Sequence, residues 1–288
     1  MIYLQVLANG VVLGGLYACI AVGFSLVWGV LNVINLLHGS FIVLGAYVAF
    51  FSYHLLGLHP FLSAPLAGML LFVLGFGLQG AIINRVVHAP VLMTLTLTFG
   101  LDLLINNAML VAFKADYRKI VLEPPLGSIA LGEVILPLDR VAVMVLALLL
   151  TLLLYQLLRL SRLGRAIVAM RMDHDAARLM GINVMRMSAV TFGIGAFMAG
   201  AAGSLLSIIY PISPLNSTLF LGKAFVICVL GGLGSVPGAM AGGVVLGLIE
   251  SFSALWLGPE YAVTVSFVLL IVILAVRPTG LLGKRGFE

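Results

Sequence analysis

Val141-Ala-Val-Met-Val-Leu-Ala-Leu-Leu-Leu-Thr-Leu-Leu-Leu154 carries one hydroxyl and no charge, and its apolar side chains do not alternate with polar ones. A strand of a transmembrane barrel alternates over roughly 10 residues, because one face meets lipid and the other a polar lumen. A helix bonds every backbone N–H and C=O within itself and is free to be apolar all round. The stretch therefore reads as a helix surrounded by hydrocarbon.

The same composition extends in both directions. The first 84 residues hold no Lys, Arg, Asp or Glu, and uncharged runs recur at Met187–Gly222, Ala224–Ile249 and Tyr261–Val276. The chain of 288 residues is 62% hydrophobic and 9% charged, where a soluble domain is about one quarter charged. It lacks the side chains to cover a water-soluble surface. A span needs roughly 20 apolar residues to cross about 30 Å of hydrocarbon. Candidate spans fall near 5–28, 39–57, 61–84, 91–113, 140–158, 188–210, 219–232, 236–257 and 261–276. The seventh and eighth are Gly-rich and read equally as half-helices. The expected fold is all-α: a polytopic transmembrane helix bundle of about eight to ten spans, some broken or re-entrant, in one membrane domain over 1–288. The N-terminus has no basic region ahead of its apolar run and is read as the first span.

A net charge of +5 invites a nucleic-acid reading, but the basic residues are confined to short connecting loops, as topology signals are. The segment 159–187 holds Arg159, Arg162, Arg165, Arg171, Arg178 and Arg186 against Asp173 and Asp175. The tail adds Arg277, Lys284 and Arg285, whereas the loop 114–140 balances four basic residues with four acidic ones. The rule places 159–187 and the C-terminus in the cytoplasm, in a cell's inner membrane, and 114–140 outside. By alternation the N-terminus is outside. Trp256 and Tyr261 flank Pro259-Glu260 as interfacial anchors. Cys19 and Cys228 lie in apolar runs without metal-ligand spacing and read as packed thiols.

Within 159–187, few residues break a helix before Gly181, which suits a left-handed position after a helix end. Leu163, Ile167 and Met170 share one face, Ala176, Leu179 and Met180 follow, and the Arg residues interleave. Such an amphipathic helix either lies on lipid headgroups or docks in a groove of a soluble partner.

Asp175-Ala-Ala-Arg-Leu-Met-Gly181 resembles the EAA-x3-G loop of ABC importer permeases, with Asp in place of Glu. Further blocks are similar to one branch, the high-affinity branched-chain amino acid permeases of the LivH type. They are Asn9-Gly10, Leu13-Gly-Gly-Leu-Tyr-Ala18, Ile34-Asn-Leu-Leu-His-Gly39, Leu44-Gly-Ala-Tyr47, Ser161-Arg-Leu-Gly-Arg165, Gly181-Ile-Asn183, Lys223-Ala-Phe225, Val229-Leu-Gly-Gly-Leu-Gly-Ser-Val-Pro-Gly-Ala239 and Pro278-Thr-Gly-Leu-Leu-Gly283. They fall in order along nearly the whole chain. Leu37 stands where the family commonly has Ala, and 86–90 departs from its usual basic, Tyr-containing stretch.

The resemblance implies a permease subunit, not itself an enzyme, that moves branched-chain or similar apolar amino acids. Urea, short amides and other small solutes belong to the same family's range. The implied partners are a second permease (a paralogue or a second copy), two ATPase subunits that bind ATP and Mg, and a periplasmic or extracellular solute-binding protein. This chain would hold no cofactor. The implied coupling residues are Arg165, Asp175, Ala176, Ala177, Gly181 and Ile182.

Polar groups inside spans are costly and face protein or a watery path. The candidates are Asn32, Asn35 and His38 where the first two spans meet, Asp102, Asn106 and Asn107 on one face of the fourth, and the charges Lys223 and Glu250. They line the path or pair among themselves, Lys223 with Glu250 or with Asp102. Gly231-Gly-Leu-Gly-Ser235 lacks the Gly-Lys-Ser/Thr ending of a phosphate loop. Gly195, Ala199 and Gly203, and Gly234, Gly238 and Gly242, have the spacing that lets helices pack closely in lipid. A membrane enzyme finds no HExxH or GxSxG to rest on. A proton-coupled transporter, which would use Asp102 and Glu250, has no need of the 175–181 motif.

Overall fold

The computed structural model describes residues 2–86, 90–132, 134–277 and 279–282. The basic residues Lys284 and Arg285 lie outside the described residues, as do Val87, His88, Ala89, Glu133, Pro278 and Gly283. The helices are α1 (Ile2–Leu31), α2 (Leu37–Leu56), α3 (Pro60–Ala81), α4 (Val91–Phe113), α5 (Leu138–Leu160), α6 (Arg162–Met172), α7 (His174–Leu179), α8 (Val184–Ile209), α9 (Ser217–Gly231), α10 (Val236–Trp256) and α11 (Ala262–Val276). Among the described residues nine helices are long and apolar enough to cross a membrane, and each coincides with a span expected from the sequence. A small antiparallel hairpin, β1 (Ser128–Leu131) and β2 (Val134–Pro137), interrupts the loop after α4 and pairs Ser128 with Pro137. The apolar periodicity of the spans gives no sign of it.

Two helices form the centre. In α1 and α8 89% of the membrane-length stretch is buried, against 22% in α5, 11% in α4 and 6% in α11. Hydrophobicity does not distinguish them, since lipid is as apolar as a neighbouring helix; small residues do. A Cβ on Gly14 would stand 2.6 Å from the Cα of Val244, so α1 and α10 touch backbone to backbone. A Cβ on Gly203 would overlap the Ile42 carbonyl, and the α8–α2 crossing depends on its absence. A Cβ on Gly242 would stand 2.6 Å from the Ile227 carbonyl of α9. The Gly195–Gly203 and Gly234–Gly242 runs thus both act as packing seams, as their spacing implies.

The loops fall on two faces. One, the hairpin face, has Gln5 of α1 bonded to Ile135 of β2 by Nε2–H to the carbonyl (2.8 Å) and by the Ile135 N–H to Oε1 (2.9 Å). The other, the basic face, carries α6, α7 and the turn between α9 and α10. There Gly234 lies against Gly29 at the end of α1.

Two helices do not begin at either face. The His38 Nε2–H donates to the Ile20 carbonyl (2.9 Å). Ile20 is eleven residues before the end of α1, or about 16 Å at 1.5 Å per residue. Residues 32–36 therefore climb into the bundle before α2 starts. The first turn of α9 lies against Gly39, so α9 also begins inside. Its 15 residues span about 22 Å, the same as those of α11, so the start inside the bundle rather than the length marks it. Of the two Gly-rich spans, the seventh is the half-helix. The eighth, α10, is a full span of 21 residues, and Gly232 and Gly234 make the turn between them with φ of 100° and 77°.

The candidate coupling surface and the intramembrane polar groups

The basic loop folds as two helices rather than one running to Gly181. Asp173 is extended (φ −161°, ψ 119°), and its carboxylate accepts the N–H groups of Asp175 (2.8 Å) and Ala176 (3.0 Å), capping α7. The side chain offers the backbone a better partner than helix continuation does, which is how a short acid breaks a helix. The bonds from Ala176 and then Asp175 favour the carboxylate and hold its pKa below the ordinary Asp range.

Gly181 (φ 83°) then closes α7. Its N–H donates to the Arg178 carbonyl and the Ile182 N–H to the Ala177 carbonyl, both at 3.1 Å. This 5→2 and 6→1 pair is the Schellman arrangement, which needs a left-handed residue at that point. Ser161 caps α6 and Asn183 caps α8 by the same logic.

Of the six expected coupling residues, Asp175, Ala176, Ala177, Gly181 and Ile182 stand together on α7 and its closing turn. Arg165 is one helix earlier, on α6, with its guanidinium toward the Leu160 carbonyl. Ile167 and Met170 are buried under α6, and Ala177 under α7. Leu163, expected on the same face, is half exposed instead. The outer surface presents hydrocarbon: Met172 is 84% exposed, Leu179 89% and Met180 83%.

Behind α7 lies a cavity of about 720 Å³, lined among others by Asn32, Asn84, Thr94, Asp175 and Arg178. It joins Asn32, which ends α1 with φ 52°, to the expected coupling residues Asp175, Gly181 and Ile182. Asn84 braces its wall, accepting from Gln79 (3.0 Å) and donating to the Met185 carbonyl (3.2 Å).

Deeper in, the polar candidates separate. Lys223 donates to Glu250 Oε2 at 2.9 Å and to the Tyr17 hydroxyl at 2.6 Å. Tyr17 donates to the same Oε2 and Ser266 to Oε1, each at 2.6 Å. This buried network ties α1, α9, α10 and α11 together. Asp102 is not part of it: its Oδ1 accepts from Ser40 of α2 at 2.5 Å. Tyr17 and Ser266 were not singled out by sequence, although Tyr17 sits in a block that carries the family resemblance.

Asn106 donates to Ser217 at the start of α9 (2.8 Å). Asn107, expected on the same face, points outward and donates to its own helix at Leu103 (2.7 Å). His38 is wedged between α1 and α2, edge-on to Phe24. Asn35, in the climbing linker, is buried with neither amide atom hydrogen-bonded among the described residues.

Arg118 is a second residue the sequence did not mark. Its backbone pairs with Ile212 (2.9 and 2.7 Å) and its guanidinium lies over the Phe50 and Phe51 rings at 5.4 Å. It straps the loop after α4 across the hairpin-face ends of α2 and α8. A balanced loop charge carries no trace of such a contact.

A profile of the family "Branched-chain amino acid transport system / permease component" matches residues 6–274. The chain belongs to this permease family.

Among relatives in the family, the high-affinity branched-chain amino acid transport system permease protein BraD of Pseudomonas aeruginosa is 36% identical, covering 99% of this chain and 97% of its own. The corresponding permease protein LivH of Escherichia coli K12 is also 36% identical with the same coverage. A solved structure, PsaBC from Streptococcus pneumoniae in complex with Fab, superposes with a TM-score of 0.51 at 12% identity over 96% of this chain and 93% of that one. That likeness speaks to the helical fold alone. The resemblance read from Asn9-Gly10 through Gly283 is thus matched along the family's length, and the chain is a multi-pass membrane permease component.

Proposed function

We propose that this chain is one of two permease subunits of an ATP-driven importer of branched-chain or similar apolar amino acids. Separate ATPases, which bind ATP and Mg²⁺, dock on residues 164–182, and a solute-binding protein delivers substrate at the hairpin face. The second permease is a related chain or a second copy. The basic face is cytoplasmic, in keeping with its excess of Arg, and the membrane is the cell's inner one.

The observation that carries this reading is the α6–α7 projection. Its inner residues Ile167, Met170 and Ala177 anchor it to the bundle, while Met172, Leu179 and Met180 stand almost bare. A helix lying on lipid headgroups would turn those apolar side chains toward the membrane. Here the spans leave them uncovered, as a helix-in-groove contact requires. The names of BraD and LivH supply the solute class.

The test uses the assembled complex in proteoliposomes with ATP inside. Leu179→Glu and Met180→Glu alter exposed positions, so the spans stay folded. ATP-driven leucine uptake and co-purification of the ATPase are expected to fall together. Uptake that persists in both variants with the ATPase still bound would overturn the docking assignment. Titration calorimetry of the cognate binding protein with leucine, isoleucine, valine and urea then fixes the solute.

A further inference from the structure

Met172, Leu179 and Met180, the side chains bared for docking, do not line the cavity of about 720 Å³ behind α7. That volume falls within the roughly 300–1,000 Å³ of small-molecule sites. Two parts of the molecule wall it. The helix α7 supplies Asp175 and Arg178, and the bundle supplies Leu31, Asn32, Asn84 and Ser188.

The lining is graded from dry to wet. Leu31, Val33, Asn84 and Ser188 are buried at its floor, while Asn32, Asp175 and Arg178 are exposed at its mouth. Asn84 is committed to Gln79 and the Met185 carbonyl, which fixes that wall. Ser188 is not committed. It is 3% exposed and lines the cavity, and its hydroxyl makes no hydrogen bond among the described residues. A buried hydroxyl left unpaired is costly, and a ligand in the cavity would supply its partner.

The mouth is in the same condition. The side chains of Asn32, Asp175 and Arg178 make no hydrogen bond or ion pair among the described residues. Asp175 and Arg178 stand three apart on one helix, within reach of each other, yet they do not pair. A site for a simple anion would not present Asp175, and a site for a simple cation would not present Arg178. A zwitterion answers both, its carboxylate to the guanidinium and its ammonium to the carboxylate. Leu31, Val33, Ile182 and Val184 leave room for an apolar remainder beside them.

We infer that this cavity binds a zwitterionic α-amino acid that reaches it from the basic face. Because α7 and the spans both line it, an occupied cavity ties α7 to the bundle and favours that seating. The inference rests on the amino-acid importer reading above, since an importer releases its solute at that face.

Equilibrium dialysis of radiolabelled leucine against the assembled complex in nanodiscs, without binding protein, tests it. Saturable binding is expected. Leucinamide, which lacks the carboxylate, and isocaproate, which lacks the ammonium, are expected to compete poorly. Arg178→Gln is expected to weaken leucine binding roughly 10- to 100-fold, the worth of a hydrogen bond to a charged group. Ser188→Ala combined with Asn32→Gly lies outside the docking segment and is expected to weaken it too; glycine keeps the left-handed backbone of residue 32. Leucine is also expected to slow hydrogen exchange across 174–180 in the parent but not in Arg178→Gln. Absence of saturable binding, equal binding in parent and variants, or leucinamide competing as well as leucine would overturn the site. ATP-driven leucine uptake with binding protein is scored on the parent complex. A complex that imports leucine yet fails the binding tests refutes the site alone, whereas one that imports no amino acid refutes the importer reading and the site with it.

Discussion

At the residue scale, the Lys223–Glu250 pair shows how a membrane interior treats charge. Two charges taken out of water are costly even when paired, and removing one leaves the other uncompensated. Glu250 accepts from Lys223, Tyr17 and Ser266, so the network is well filled. Lys223→Met or Glu250→Leu alone is expected to destabilise the protein by about 3–5 kcal/mol, whereas the double variant lies close to the parent. Thermal unfolding in nanodiscs, read as a double-mutant cycle, checks this; additive losses in the double variant would show that the two side chains do not act as a pair. The choice of Glu250 over Asp102 was not legible in the sequence, because all three are simply isolated charges in apolar runs. Asp102 is taken by Ser40 of α2, a residue 62 positions away.

At the element scale, the coupling segment was partly legible. Gly181 as the closing residue of a helix follows from its left-handed freedom, and the structure has it at φ 83°. The break at Asp173 was not foreseen, because an Asp in an amphipathic run is compatible with both continuation and capping. Its carboxylate, held below the usual Asp range by the Ala176 and Asp175 N–H groups, caps α7 fully above that range. The cap is lost only as pH falls through the lowered value, so it is constant across neutral pH. Asp173→Ala is expected to raise hydrogen exchange at Asp175 and Ala176 and to weaken ATPase coupling, and Asp173→Ser to restore both. Exchange unchanged in the Ala variant would mean that the break is imposed by packing instead. The half-height of α9 was likewise beyond the hydropathy pattern, which records how apolar a run is and not where it starts.

At the scale of the whole molecule, one network and one exposed surface bear on the choice between the proposed ATP-driven import and proton coupling. Glu250 is bonded by three donors, and α7 leaves Leu179 and the adjoining Met180 exposed. Uptake into proteoliposomes is therefore expected to continue when a protonophore collapses the proton gradient, provided ATP remains inside. Uptake that stops while ATP hydrolysis continues would favour the proton-coupled reading.

The sequence by itself determined that this chain lives in a bilayer, that it is helical, and where its spans fall. Those properties are local: twenty apolar residues are a span whatever surrounds them. Only the tertiary structure decided which helices are central and which polar groups meet. Leu, Val and Ile satisfy lipid and protein equally, so burial is not written in hydropathy. It is decided by backbones that approach where Gly14 and Gly203 permit, and by partners as far apart as Tyr17 and Lys223.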